Sequence, residues 1–325
     1  MGMSKVGCVV IGRNEGVRLE RCLSSVQNLV PRLVYVDSQS TDNSIEIARR
    51  ASADVIVLDM SIPFSAARAR NAGLERLKAV HPGVSVVQFI DGDCELNAEW
   101  LQSALSVLDE HDGVAVVFGR TRERSPDGSL YNLVCDLEWD TPIGVARTCG
   151  GIALMRVSAL DHVGAFDPSF VAGEEPEMCL RLRQAGWSIL RIDTEMTLHD
   201  VNIHSFRAWW RRQKRHGYAL ALSAAKHGCA PERFRVREIS RALTWSVAAP
   251  FSILLISIIK PWAILALLIY PVQIARLAFR DQTGRPKVGA RAALSLISRF
   301  AETAGLLQYV CDRLRSRLPQ IIEYK

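Results

Sequence analysis

Val84-Ser85-Val86-Val87-Gln88-Phe89-Ile90-Asp91-Gly92-Asp93 is the stretch from which the rest of the chain can be read. Its first seven residues are short, largely apolar and β-branched, as in a buried strand. The run stops at two carboxylates one residue apart. Side chains two apart on an extended segment point to the same side, so Asp91 and Asp93 can converge on one hard cation. Gly92 lets the backbone approach a ligand closely. By itself an Asp-Gly-Asp more often makes a turn at a strand end. The segments on either side decide between the two.

Upstream, strands and helices alternate. Residues 5–11 read as strand, 17–28 as helix, and 32–36 as a strand ending at Asp37. Asp42 reads as the N-cap of a helix through Arg50. Residues 54–58 read as strand and 66–78 as helix. Downstream come a helix over 98–111 and a strand over 114–118, then a turn at Ser125-Pro126-Asp127-Gly128. A strand over 150–155, helices over 157–163 and from near Pro176, and a strand over 188–192 follow. This alternation predicts an α/β fold, a mostly parallel sheet with helices on both faces. Ligands of such sheets bind at the carboxyl ends of the strands. Asn14-Glu15, Asp37 and the Asp91/Asp93 pair all fall at such ends.

Five segments in this order resemble the family 2 glycosyltransferases of GT-A (Rossmann-like) fold. Val9-Val10-Ile11-Gly12-Arg13-Asn14-Glu15 resembles the family's first strand and nucleotide loop. Tyr35-Val36-Asp37-Ser38-Gln39-Ser40-Thr41-Asp42 resembles its second, with Ser38 and Gln39 where Asp and Gly are common. Ala69-Arg70-Asn71-Ala72-Gly73 resembles a segment near the diphosphate, Asp91-Gly92-Asp93 the metal motif, and Gly173-Glu174-Glu175-Pro176-Glu177 the segment bearing the catalytic base, with Glu175 in place of Asp. The resemblance implies donor contacts from Ile11, Arg13, Glu15, Asp37, Ser38, Arg70, Asp91, Gly92 and Asp93. It also implies a cation on Asp93 and Asp91, and Glu175 as the base. Trp209-Trp210-Arg211-Arg212-Gln213-Lys214-Arg215 only loosely resembles the motif of processive synthases.

Displacing a nucleoside diphosphate from a sugar develops charge on the leaving phosphate, which a cation on Asp91 and Asp93 neutralises. Oxygen ligands favour Mg²⁺ or Mn²⁺ over Zn²⁺. A carboxylate such as Glu175 can take the proton of the attacking hydroxyl, and a single displacement inverts the anomeric centre. Pro176 at a first helical position would set Glu175 at a helix N-terminus, whose dipole favours the ionised form. The same acidic run also fits a plain helix start, and Asp37 fits a turn cap. His199 closes an apolar stretch and fits either a structural hydrogen bond or a metal or diphosphate contact.

Of 325 residues 49% are hydrophobic, and the chain carries a net charge of +6. Between Ile203 and Arg241 ten Lys/Arg face two Asp/Glu, so the excess sits in one segment, as on a membrane surface or a polyphosphate contact. Trp209 and Trp210 in that segment read as a lipid-headgroup interface rather than a nucleic-acid platform, because apolar sequence follows. The eight cysteines are scattered without a Cys-x-x-Cys pair, which argues against a zinc or disulfide framework and suits a reducing compartment. The N-terminus carries neither a signal-peptide apolar core nor a myristoylation motif.

Residues 242–259 and 262–275 are uncharged on either side of Lys260-Pro261, each near the lower limit of about 17 residues for a spanning helix. The expected organisation is a catalytic domain over 1–230 and a membrane-associated region over 231–325. The latter comprises an apolar hairpin at about 242–279 and an amphipathic helix at about 288–318, with Leu294, Ile297, Ala301 and Ala304 toward one side. Arginines flank the hairpin at 233, 235, 237, 241, 276, 280 and 285, which places the chain on the cytoplasmic face of an inner membrane. The function expected is transfer of sugar from a nucleotide-sugar to a glycan or lipid-linked acceptor. The alternatives are a nucleotidyltransferase, disfavoured by the lack of a Gly-rich Lys/Arg phosphate loop near the start, and a membrane scaffold, disfavoured by the intact acidic residues.

Overall fold

A computed structural model of the chain describes residues 2–317 and residue 322. Two compact units emerge. One holds residues 1–126 and 135–202, the other 127–134 and 203–325. Packing thus divides the chain near Asn202, whereas composition changes near residue 230.

In the first unit, strand β1 (Val6–Gly12) leads to α1 (Val17–Val26), β2 (Leu33–Asp37), α2 (Ser44–Arg50), β3 (Asp54–Val57), α3 (Ala66–Val80) and β4 (Val86–Asp91). Then come β5 (Cys94–Leu96), α4 (Trp100–Glu110), β6 (Val114–Glu123), α5 (Leu130–Glu138, of which residues 130–134 belong to the second unit), β7 (Gly144–Val145), β8 (Ala153–Arg156), α6 (Val157–Val163), α7 (Glu174–Gln184) and β9 (Ser188–His199). The nine strands of the described residues form one sheet in the order β3-β2-β1-β4-β8-β6-β9-β5, with β7 on β9. β3, β2, β1 and β4 run parallel, as does β6 beside β9. The expectation of a mostly parallel sheet needs correcting beyond β4, because β8 runs antiparallel to both β4 and β6, and β5 and β7 antiparallel to β9. β8 is buried along its whole length, and such a strand carries no sign of its direction in its pattern.

β1 is buried from Val6 to Ile11, which requires cover on both faces. Gly73 allows α3 to come close: a Cβ there would overlap Val9 and stand 3.0 Å from Val36. In this part of the chain Gly73 therefore serves helix–sheet packing. β6 and β9 run further than expected, to Glu123 and His199, pairing across register shifts. α2 is capped at Asn43 rather than Asp42, although Asp42 still accepts a hydrogen bond from the Ser44 N–H at 3.0 Å. α7 begins at Glu174 behind Gly173, whose φ of 80° turns the chain. Pro176 is thus its third residue rather than its first, and still falls where the helix has N–H groups without internal partners.

In the second unit, α8 (Phe206–His227) packs on α12 (Val288–Leu314), and between them run α9 (Val236–Leu243), a π turn, α10 (Ala249–Ile259), a 3₁₀ stretch over Pro261–Leu268 and α11 (Ile269–Arg280). Residues 236–259 and 261–280 make two helices long and apolar enough to cross a membrane, with few of their residues buried. The Tyr270 hydroxyl donates to the Trp245 carbonyl at 2.7 Å and ties the two together. On α12, Leu294 and Ala301 are buried. A Cβ at Gly217 would overlap the Glu302 backbone, and one at Gly305 the Lys214 backbone. The apolar stripe read as amphipathic is thus covered by α8. Leu318, the expected end of that helix, lies outside the described residues.

Candidate active site

The carboxyl ends of β1, β2 and β4 lie side by side because these strands are parallel, with Ile11 in register with Asp91 and Gly12 with Asp37. The Gly92 N–H donates to the Ile11 carbonyl at 2.8 Å and fixes the turn after β4. β5 follows at once and pairs with the far end of β9, Cys94 opposite His199. The Asp200 N–H donates to the Asp93 carbonyl at 3.0 Å. Asp93 Oδ2 and His199 Nε2 meet at 3.2 Å. Ligand atoms of Asp93, Cys94 and His199 all lie within 4.8 Å of one another. Trp139 stacks on the His199 ring, centroids 4.6 Å apart. A carboxylate in the turn between β4 and β5 and an imidazole at the end of β9 suit a divalent ion.

Asp91 turns the other way. Its Oδ1 accepts from Arg70 Nη2 at 2.9 Å, while Arg70 Nη1 donates to Glu174 Oε1 at 2.8 Å and to Glu175 Oε1 at 3.0 Å. Gly151 lies over this cluster, a Cβ there standing 2.8 Å from Glu175 Oε1. Burial pushes the Glu175 carboxyl up from 4.5 to about 7, Glu174 adds to the rise, and Arg70 opposes it. The helix N-terminus was expected to keep Glu175 ionised, but desolvation outweighs it. Burial alone would lower the Arg70 pKa, yet Glu175, Asp91 and Glu174 raise it above the ordinary range. Glu177, the neighbouring carboxylate, is buried and held by Arg181 at 2.7 Å.

At the nucleotide loops, Asp37 is fully buried. It accepts from the Tyr35 hydroxyl at 2.9 Å, and from the Ser40 N–H and hydroxyl, each at 2.6 Å. Asn14 ties the two loops, its Oδ1 accepting from the Thr41 N–H at 2.7 Å and its N–H donating to Ser40 Oγ at 2.8 Å. Asn14 and Gln39 both have positive φ, 57° and 64°. Ser38 is buried. Arg13 lies over the Phe64 ring, 4.6 Å from its centroid. Glu15 pairs with Arg18 at 2.8 Å, and its Cγ would be 3.2 Å from a Cβ at Gly92.

The residues singled out in the sequence thus fall into three groups: Asp93 with His199; Arg70 with Asp91 and Glu175; and Ile11, Arg13, Glu15, Asp37 and Ser38 around the first two loops. Sequence reasoning placed Asn14 at a strand end but missed Trp139, Phe64 and the anchoring role of Glu174. Of the three, only Glu174 had a signal, as the neighbour of a residue already chosen.

Residues 8–164 match the family described as Glycosyl transferase family 2, and residues 135–279 match Glycosyl transferase family group 2. Glycosyltransferase AglE of Haloferax volcanii is 25% identical over 197 residues, 57% of this chain and 63% of that relative, so the chain spans less than two thirds of the relative's length. Two solved structures share the GT-A fold. Mannosyltransferase PcManGT from Pyrobaculum calidifontis, in complex with GDP-Man and Mn²⁺, superposes with a TM-score of 0.59 at 17% identity, over 95% of this chain and 88% of that one. S. aureus TarS 1–349 gives 0.53 at 16% identity, over 96% and 92%.

Proposed function

Since this chain belongs to the family 2 glycosyltransferases, we propose that it moves a sugar from a nucleotide-sugar donor to a hydroxyl of a glycan or lipid-linked acceptor, with inversion at the anomeric carbon. The observation that carries this reading is the meeting of a half-buried, raised-pKa carboxylate, Glu175, with Asp91 through one guanidinium at the carboxyl end of β4.

Glu175 is the general base. It accepts the proton of the acceptor hydroxyl, and a pKa near 7 suits a base working near neutrality. One base and one displacement require no covalent nucleophile. Asp93 and His199 would hold a Mg²⁺ or Mn²⁺ ion, which when bound offsets charge on the departing diphosphate, while Asp91 stays engaged by Arg70. Ile11, Arg13, Glu15, Asp37, Ser38 and Gly92 form the nucleotide side, Asp37 by bracing the loop and Arg13 with Phe64 by offering a flat surface to a base.

Catalysis belongs to residues 1–230 and membrane attachment to 231–325. The apolar hairpin enters the bilayer between its arginine flanks, on the cytoplasmic face where nucleotide-sugars are made, and a membrane-bound glycan precursor is the acceptor suited to that place. The test is calorimetric titration of the full chain with UDP-glucose, UDP-GlcNAc and GDP-mannose, with and without Mn²⁺, followed by assay of nucleotide diphosphate release. Binding of at least one donor that depends on Mn²⁺ and is lost on chelation is the expected result. Absence of binding by all three in Mn²⁺ would overturn the reading.

A further inference from the structure

Arg70 belongs to a segment that resembles the part of the family lying near the donor diphosphate, and a cation there is readily taken for a phosphate ligand. Its surroundings point elsewhere. The side chain is 2% exposed, and its Nε is buried too. Both terminal nitrogens are taken: Nη1 by Glu174 at 2.8 Å and Glu175 at 3.0 Å, Nη2 by Asp91 at 2.9 Å. One face of the guanidinium looks onto the Phe166 ring, 5.6 Å from the centroid. Over Nη2 lies Gly151, where even a Cβ would overlap it. A phosphate finds no open edge on this group.

What Arg70 does reach is the apparatus of the reaction. It stands on α3, Asp91 ends β4, and Glu174 and Glu175 open α7. These three elements are brought to a common point by one planar fork. Glu174 is itself only 3% exposed, so it acts as the anchor from which the fork reaches the other two carboxylates. We propose that Arg70 is a positioning residue, fixing the Glu175 carboxylate relative to Asp91 and touching neither donor nor acceptor. The proposal rests on Glu175 being the base. A guanidinium can serve three carboxylates in one plane, and a lysine ammonium, a point charge on a flexible stem, cannot. The conservative replacement should therefore fail in catalysis while leaving the donor site alone.

The test uses the full chain in detergent with Arg70→Lys, Arg70→Ala, Glu174→Gln and Glu175→Gln. Affinity for UDP and GDP in Mn²⁺ is measured by calorimetry. Turnover is measured as nucleotide diphosphate release from UDP-glucose, UDP-GlcNAc and GDP-mannose. Arg70→Lys and Arg70→Ala should keep nucleotide affinity within about threefold while kcat falls about 10²-fold at little-changed donor KM, the cost of a misplaced group. Millimolar guanidinium, but not methylammonium, should restore part of the activity of Arg70→Ala. Glu174→Gln should lower kcat about tenfold with affinity unchanged, because the fork loses its anchor; it also carries the test if Arg70→Ala fails to fold by circular dichroism. A loss of nucleotide affinity above about thirtyfold with kcat preserved would make Arg70 a phosphate ligand and overturn the proposal. If Glu175→Gln is inactive and Arg70→Lys fully active, only the positioning role falls. If Glu175→Gln is fully active, the base itself is misassigned and the positioning role falls with it.

Discussion

Trp139 lies flat against His199, ring centroids 4.6 Å apart and planes 11° from parallel, while the other side of the imidazole's chemistry, Nε2, meets Asp93 at 3.2 Å. An aromatic residue contributed by the chain just after α5 thus sets the orientation of a residue at the tip of β9.

Loss of that stack should loosen the imidazole without removing it. Stacked aromatic pairs contribute about 0.5–1.5 kcal/mol beyond their buried area. Trp139→Ala should therefore raise the Mn²⁺ concentration for half-maximal activity by about two- to tenfold, and Trp139→Phe should restore it. A titration of activity against Mn²⁺ measures this. An unchanged midpoint in Trp139→Ala would detach Trp139 from the site.

Activity should follow the ionisation of Glu175. Its carboxyl is raised from 4.5 to about 7, chiefly by burial, and a base works deprotonated. The value of kcat/KM should rise about tenfold per pH unit below 7 and level off above it. Stability runs the opposite way. A raised carboxyl favours the folded state below pH 4.5, and that contribution is lost as pH rises through 7. Glu175→Gln should then melt above the natural chain at pH 8, the gap closing toward pH 4.5. Melting curves at the two pH values decide it.

Gln39 holds φ at 64° where the family commonly has Gly, and its side chain is exposed. A non-glycine residue in the left-handed region costs roughly 1–2 kcal/mol. Gln39→Gly should stabilise the fold by at most about 1 kcal/mol, since glycine also frees the unfolded chain. Denaturant unfolding would register it, and a destabilised variant would mean that the Gln39 side chain has a role of its own.

Membrane retention should depend on the hairpin tip. Ile258, Ile259 and Trp262 are 78, 81 and 69% exposed, around Lys260, whose long stem can carry its ammonium to a headgroup. Ile258→Asp with Ile259→Asp should shift the chain from the membrane pellet toward the soluble fraction after an alkaline wash. Charged residues at bilayer depth cost about 2.5–3.5 kcal/mol each on insertion scales. Truncation after Ser240 is a poorer test, because it removes α12 along with the hairpin and bares the face of α8 that α12 covers. A double variant retained as firmly as the natural chain would remove the tip from the bilayer.

The alternation from β1 to β4 was legible because β1, β2 and β4 are buried on both faces and the helices between them have their own periodicity. The placement of Asp91 and Asp93 at a strand end was legible for the same reason. Three things were not. His199 reaches Asp93 only through the antiparallel pairing of β5 with β9, two strands far apart in the chain, which no local pattern encodes. Arg70 looks like any helical arginine until α7 closes over it. Residues 294–304 carry an amphipathic stripe that protein and lipid would satisfy equally, and α8, which ends at His227, lies far back in the sequence.

β9 carries His199 at the end of twelve residues that begin at Ser188. A strand that delivers a side chain at its tip is a device that counts. Substitutions along its exposed positions leave the count intact, but one residue gained or lost between Arg191 and His199 turns the imidazole to the opposite face of the sheet. Lineages descended from this gene should therefore vary freely in the letters of this strand and hardly at all in its number of residues.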